Sequence, residues 1–73
     1  MKFGELIEVT IEERSLTLIV KKIFYEDPDL GRFIETTIGK PSYYFQYASD
    51  ALMNSDVRSI HLYSENEMEV YVI

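Results

Sequence analysis

Glu5-Leu6-Ile7-Glu8-Val9-Thr10-Ile11 and, after a short polar gap, Leu16-Thr17-Leu18-Ile19-Val20-Lys21-Lys22-Ile23-Phe24-Tyr25 form the stretch on which the fold turns. In the first segment Ile7, Val9 and Ile11 alternate with Glu8 and Thr10, the period-two pattern of a half-buried strand. The second segment alternates as well. A two-residue loop at Glu13-Arg14 sets Ile11 opposite Leu16, Val9 opposite Leu18, Ile7 opposite Val20, Glu5 opposite Lys22 and Phe3 opposite Phe24. All the large apolar partners then share one face, and the Glu5/Lys22 pair adds ~0.5 kcal/mol of cross-strand attraction. A slip of one residue would set each apolar side chain against a polar one, so the register is strongly specified. The pattern therefore predicts a β-hairpin over residues 5–25. Its turn, Glu12-Glu13-Arg14-Ser15, lacks the Asn-Gly chemistry of two-residue loops, and a longer loop of the same parity serves equally.

Seventy-three residues make a single domain spanning 1–73. A chain of this length buries only about 60% of the surface its unfolded form exposes, so the core is small. An apolar content of 47% with three glycines and two prolines indicates a folded chain. There is no cysteine, hence no disulfide framework and no thiolate metal site. No apolar run reaches the length of a signal or membrane segment, and the expectation is a cytoplasmic protein.

The pattern continues to the C-terminus. Glu26-Asp27-Pro28-Asp29-Leu30-Gly31 reads as a turn and Arg32 to Ile38 as a third strand. Gly39-Lys40-Pro41-Ser42 breaks that strand, with Ser42 placed to cap a following helix. From Tyr43 to Asn54 the spacing is helical: Tyr44, Phe45, Ala48, Ala51 and Leu52 share one side, Tyr43, Gln46, Asp50, Met53 and Asn54 the other, and Tyr47 lies between. Val57 to Tyr63 and Met68 to Ile73 form a closing pair of strands. A three-residue loop at Glu65-Asn66-Glu67, with Asn66 left-handed, sets Leu62 opposite Val70 and Ile60 opposite Val72. The expected fold class is thus α+β, a small antiparallel sheet of about five strands in β-β-β-α-β-β order with one helix on one face. Sheet order is left open by the pattern. Ile19, Ile23, Tyr25, Tyr63, Tyr71 and Ile73 exceed what one helix can cover, so the sheet either curls or uses part of its apolar surface as an interface.

Charge narrows the function classes. The net charge is −6, and residues 41–73 carry Arg58 alone against Asp50, Asp56, Glu65, Glu67 and Glu69. Nucleic acid and anionic membranes are repelled by such a surface, whereas encounter with a basic protein is accelerated. The single histidine, His61, lacks companions for a metal site. The acidic turn at Glu26 to Gly31 does not follow the spacing of a calcium loop. Nothing matches a nucleophile elbow or a phosphate loop, so no catalytic residue, metal or cofactor is expected.

Two features remain as binding candidates. One is the outward helix face of Tyr43, Tyr47, Asp50 and Met53, since tyrosine buries much area for little rotamer entropy. The other is the set of carboxylates Glu26, Asp27 and Asp29 on one loop, Asp56 at the helix end, and Glu65, Glu67 and Glu69 around the last turn. Asp56 there would add to the negative end of the helix dipole. In size and charge the chain resembles small virus- or mobile-element-encoded inhibitors of nucleic-acid-handling enzymes, anti-CRISPR and DNA-mimic proteins among them. That resemblance implies a non-catalytic module occupying a basic, normally nucleic-acid-binding surface of another protein. The alternative is a structural homo-oligomer or accessory subunit, with Val70-Tyr71-Val72-Ile73 pairing edge to edge in a homodimer.

Overall fold

A computed structural model describes the backbone of residues 1–73 and every side chain except those of Tyr25 and Glu26. Seven elements follow one another: α1 (Phe3–Thr10), β1 (Thr17–Asp27), β2 (Gly31–Gly39), α2 (Pro41–Tyr47), α3 (Asp50–Met53), β3 (Val57–Ser64) and β4 (Glu67–Val72). The class is α+β, with a four-stranded mixed sheet in the order β2-β1-β4-β3. Neither the expected five strands nor the single helix survives.

The first correction lies at the N-terminus, where residues 3–10 are a helix and not a hairpin arm. The segment carries two periodicities at once. Ile7, Val9 and Ile11 alternate, but Phe3, Leu6, Ile7 and Thr10 recur at helical spacing, and these four are the ones buried. Ile7 is wholly buried while Val9 is 74% exposed. Local chemistry favours the helix. The Glu5 carboxylate accepts a hydrogen bond from the Lys2 amide at 2.8 Å, placing an acid in the first turn where the helix dipole favours it. Thr10 is satisfied within the same helix, its hydroxyl donating to the Leu6 carbonyl at 2.7 Å.

With α1 withdrawn from the sheet, β1 takes other partners. Antiparallel to it on one side is β2, with Ile23 opposite Ile34, Lys21 opposite Thr36 and Ile19 opposite Ile38. Gly31, at φ 84°, supplies the left-handed residue of the connecting turn. Asp27 Oδ1 closes that turn by accepting from the amides of Asp29 and Leu30 at 2.7 and 3.0 Å. On its other side β1 runs parallel to β4, Leu18 beside Met68 and Val20 beside Val70. The C-terminal strand is therefore internal, which removes the edge-to-edge pairing expected of Val70 to Ile73.

The β3–β4 hairpin keeps the expected parity by a different route. Leu62 lies opposite Met68 and Ile60 opposite Val70, a shift from the expected register. The loop is shorter than three residues, among the described residues no non-glycine residue including Asn66 has positive φ, and an irregularity between Leu62 and Ser64 absorbs the odd residue.

The expected helix from Tyr43 to Asn54 divides in two. Ala48 and Ser49 have extended backbone, with ψ of 140° and 157°. Ser49 Oγ accepts from the Leu52 amide at 3.1 Å, which starts α3 afresh. Pro41, not Ser42, marks the entry to α2, following Lys40 as the N-cap residue.

All three helices pack on one face of the sheet. Phe3, Leu6 and Ile7 meet Leu16, Leu18, Val20, Val70, Val72 and Tyr44 in a single cluster. Phe3 and Tyr44 contact edge to face, 5.5 Å between ring centroids. Burial raises the pKa of the Tyr44 phenol, and its hydrogen bond with Thr37 Oγ1 at 2.8 Å satisfies the hydroxyl. The start of α1 is held by backbone bonds from the Phe3 amide to the Ser55 carbonyl and from the Val57 amide to the Met1 carbonyl, both 2.8 Å. The opposite face, with Ile19, Lys21, Ile23, Ile34, Thr36 and Ile38 from β1 and β2, carries no helix.

A pair of truncations separates the helical from the strand arrangement of residues 3–10. Ile7→Ala should lower stability by about 2–5 kcal/mol, as for a large-to-small change in a packed core. Val9→Ala should stay within about 0.5 kcal/mol, as at an exposed site. Urea unfolding followed by circular dichroism reads both.

Candidate functional site

The residues nominated from the sequence are distributed over three places. Tyr43 and Tyr47 are neighbours on the flank of α2, one turn apart, with ring centroids 5.2 Å apart and more than half of each exposed. Tyr43 lies over Gly39, where a Cβ would come within 2.8 Å of its ring, so glycine is required for this approach. Asp50 is exposed at the head of α3.

Met53 does not join them. It is half-buried against α1, where its carbonyl oxygen lies 3.1 Å from the point a Cβ on Gly4 would occupy. The small residue lets α1 and α3 approach closely. Above this contact is a shallow groove of about 310 Å³ lined by Glu5, Glu8, Phe45 and Met53, with Lys2, which pairs with Asp56, at its side. Phe45, expected on the buried side of a continuous helix, is 64% exposed, because the short α2 turns Pro41 and Tyr44 to the core instead.

The nominated carboxylates do not form one surface. Asp27 ends β1, and Asp29 follows in its turn, whereas Glu65 and Glu67 lie at the other end of the sheet, beside the start of β1, where the Thr17 amide donates to the Asn66 carbonyl at 2.7 Å. The two ends of β1, which is 11 residues long, are ten residue steps apart, roughly 33 Å at the usual rise. The Glu26 side chain lies outside the described residues.

Two of the other acids prove to be paired. Asp56 Oδ1 meets Lys2 Nζ at 2.8 Å, and this hydrogen bond, with the lysine charge, holds its carboxyl below the usual aspartate range. Asp56 therefore does not intensify a negative helix end. Glu69, expected in solvent near a loop, is 7% exposed on the helix-free sheet face. Lys21 Nζ stands 3.7 Å from Glu69 Oε2, and His61 is its cross-strand neighbour. Tyr63 hydrogen-bonds to Glu69, and that bond, more than partial desolvation, raises the phenol pKa. A second shallow groove of about 380 Å³ runs past this network, lined by Arg32, Arg58, His61, Tyr63 and Glu69. Among the described residues no three acidic or histidine side chains are placed to hold a metal ion.

A set of residues unnominated in the sequence gathers on the helical side. Glu5 and Glu8 are exposed along one edge of α1, and Glu12, also exposed, lies in the turn that follows the helix. For Glu5 and Glu8 the signal was the helical spacing of Phe3, Leu6, Ile7 and Thr10, which turns both acids outward. With Phe45 and Asp50 they make the helical layer acidic and aromatic. No family model, curated protein or solved structure matches the chain. Among the described residues no helix is long and apolar enough to cross a membrane.

The Tyr63–Glu69 bond has a readable consequence at alkaline pH. A phenol whose proton is held by a folded-state carboxylate titrates above its unfolded value, so its stabilising contribution is present at neutral pH and is lost as pH rises through the folded value. Glu69→Gln removes the carboxylate charge. The Tyr63 ring resonances should then titrate at lower pH than in the parent when followed by NMR.

Proposed function

We propose that the chain is a non-catalytic protein-binding module whose helical layer docks on a basic surface of another protein, one that ordinarily holds nucleic acid. The observation that carries this reading is Phe45, 64% exposed on α2 beside Glu5 and Glu8 of α1. An aromatic ring left in water at the rim of a groove and flanked by carboxylates has the make-up of an interface anchor for a cationic partner.

The roles divide by chemistry. Phe45, with Tyr43 and Tyr47 on the other flank of the same helix, supplies apolar area that is desolvated on contact. Glu8, Glu12 and Asp50 supply the field that guides approach and the acceptors that replace phosphate oxygens against lysine or arginine. The net charge of −6 supports a basic partner and opposes nucleic acid itself. Occupation of such a surface would exclude nucleic acid from it, the action of an inhibitor.

The test is capture from the native host's extract on immobilised protein, followed by binding kinetics with the recovered protein. Phe45→Ala should weaken binding by about 30-fold or more through faster dissociation, the effect of losing a hot spot worth about 2 kcal/mol. Glu8→Gln combined with Glu12→Gln should instead slow association and flatten its salt dependence. Duplex DNA or RNA should displace the captured protein. Binding that is equal for parent and variants, or indifferent to nucleic acid, would overturn the proposal.

A further inference from the structure

The two edges of the sheet are unequal. β3 is interrupted at both ends, by irregularities between Val57 and Ser59 and between Leu62 and Ser64, so little regular ladder is offered to another strand. Such breaks are a common protection of edge strands. By contrast, β2 pairs with β1 without interruption from Ile34 to Gly39, and its outer edge has no partner strand. Its exposed side chains include Thr36, Thr37 and Ile38, the last 66% exposed.

We propose that β2 pairs with β2 of a second copy, antiparallel, about a two-fold axis through Thr36. Two-fold symmetry allows only registers in which a residue faces its own equivalent, and the sequence separates these sharply. Centring on Glu35 would oppose two carboxylates and set Ile34 against Thr36. Centring on Thr37 would set Ile38 against Thr36 and Ile34 against Lys40. Centring on Thr36 matches Ile34 with Ile38 of the partner copy on both sides of a Thr36 pair, and Glu35 with Thr37. Isoleucine and threonine pairs of this kind are favourable across strands.

The match continues beyond the edge. Within one copy Ile34 already faces Ile23 and Ile38 faces Ile19 on the helix-free side. Pairing would therefore make two rows of four isoleucines across the joined sheets, with Lys21 and Thr36 between them. On the helical side the same register sets Phe33 of each copy, 53% exposed, beside Gly39 of the other, where the Tyr43 ring lies over the glycine.

The self-matching register selects a second copy as the occupant, and local charge permits it. In a chain of net charge −6, β2 carries Arg32 and Glu35 and is itself neutral, so neither edge brings net charge to the other. The register sets Lys40 opposite Arg32 of the other copy, but the Lys40 ammonium turns back to the Ser15 carbonyl and Thr17 Oγ1 of its own chain, at 3.3 and 3.2 Å. An axis normal to the sheet leaves both helical layers on the same side, which makes the dimer a bivalent form of the binding module. The pairing itself stands without that reading.

Sedimentation velocity from micromolar to millimolar concentration tests it. The parent should pass from 8.6 kDa to twice that mass, and Thr36→Lys, an exposed change that opposes two charges at the axis, should remain at 8.6 kDa with an unchanged circular dichroism spectrum. The chain has no cysteine, so single thiols report the register directly. Under mild oxidation Thr36→Cys should cross-link to itself, whereas Ile34→Cys and Ile38→Cys should cross-link only when mixed. A parent that stays monomeric throughout, a dimer that persists in Thr36→Lys, or self-linking of Ile38→Cys would overturn the proposal.

Discussion

The parallel pairing of β1 with β4 is the contact on which the other elements depend. It joins the first strand of the chain to the last, with Val20 beside Val70 and Leu18 beside Met68. Parallel neighbours cannot be linked by a tight turn, and the intervening chain must cross over before it returns. Here that crossing contains β2, α2, α3 and β3, so each strand of the central pair acquires its own hairpin partner. The central pair is apolar on the face where α1 rests. Phe3 and Ile7 seal it, and the backbone bonds of Met1 and Phe3 to Val57 and Ser55 fix where the helix enters.

This arrangement explains which parts of the fold could be read from sequence. β1, β2 and β3 announce themselves because each is a local alternation bounded by Gly, Pro or Asp chemistry, and such signals need no knowledge of the rest of the chain. Residues 3–10 do not, since Phe3-x-x-Leu6-Ile7-x-x-Thr10 and Ile7-x-Val9-x-Ile11 fit two periods equally well. Tertiary context decides between them. Once β4 occupies the flank of β1, no edge is left there for a hairpin arm, and the first segment must cover the sheet. That β4 lies there is set by pairing across the whole chain, which local pattern does not encode. The helix break at Ala48-Ser49 was legible in principle, because serine before Asp50-Ala51-Leu52 is a good cap, but a continuous apolar stripe masked it.

The candidate surface was legible to a similar degree. Tyr43 and Asp50 stand exposed as their spacing suggested and border Tyr47 is exposed with them, whereas Met53 and Phe45 exchange places relative to the expectation once the helix is divided. Acids could be counted from the sequence but not sorted. Asp27 closes a turn, Asp56 pairs with Lys2, and Glu69 is buried beside Lys21, so three carboxylates counted as free charge have structural partners. Glu8 gains significance only because α1 is a helix.

The assignment of residues 3–10 thus governs both the core and the acidic face, and backbone NMR tests it most directly. The account predicts helical Cα and Cβ shifts from Phe3 to Thr10, with cross-strand contacts between Val20 and Val70. Strand shifts over residues 5–11, with contacts between Val9 and Leu18, would contradict it and would remove the acidic edge of the helical layer.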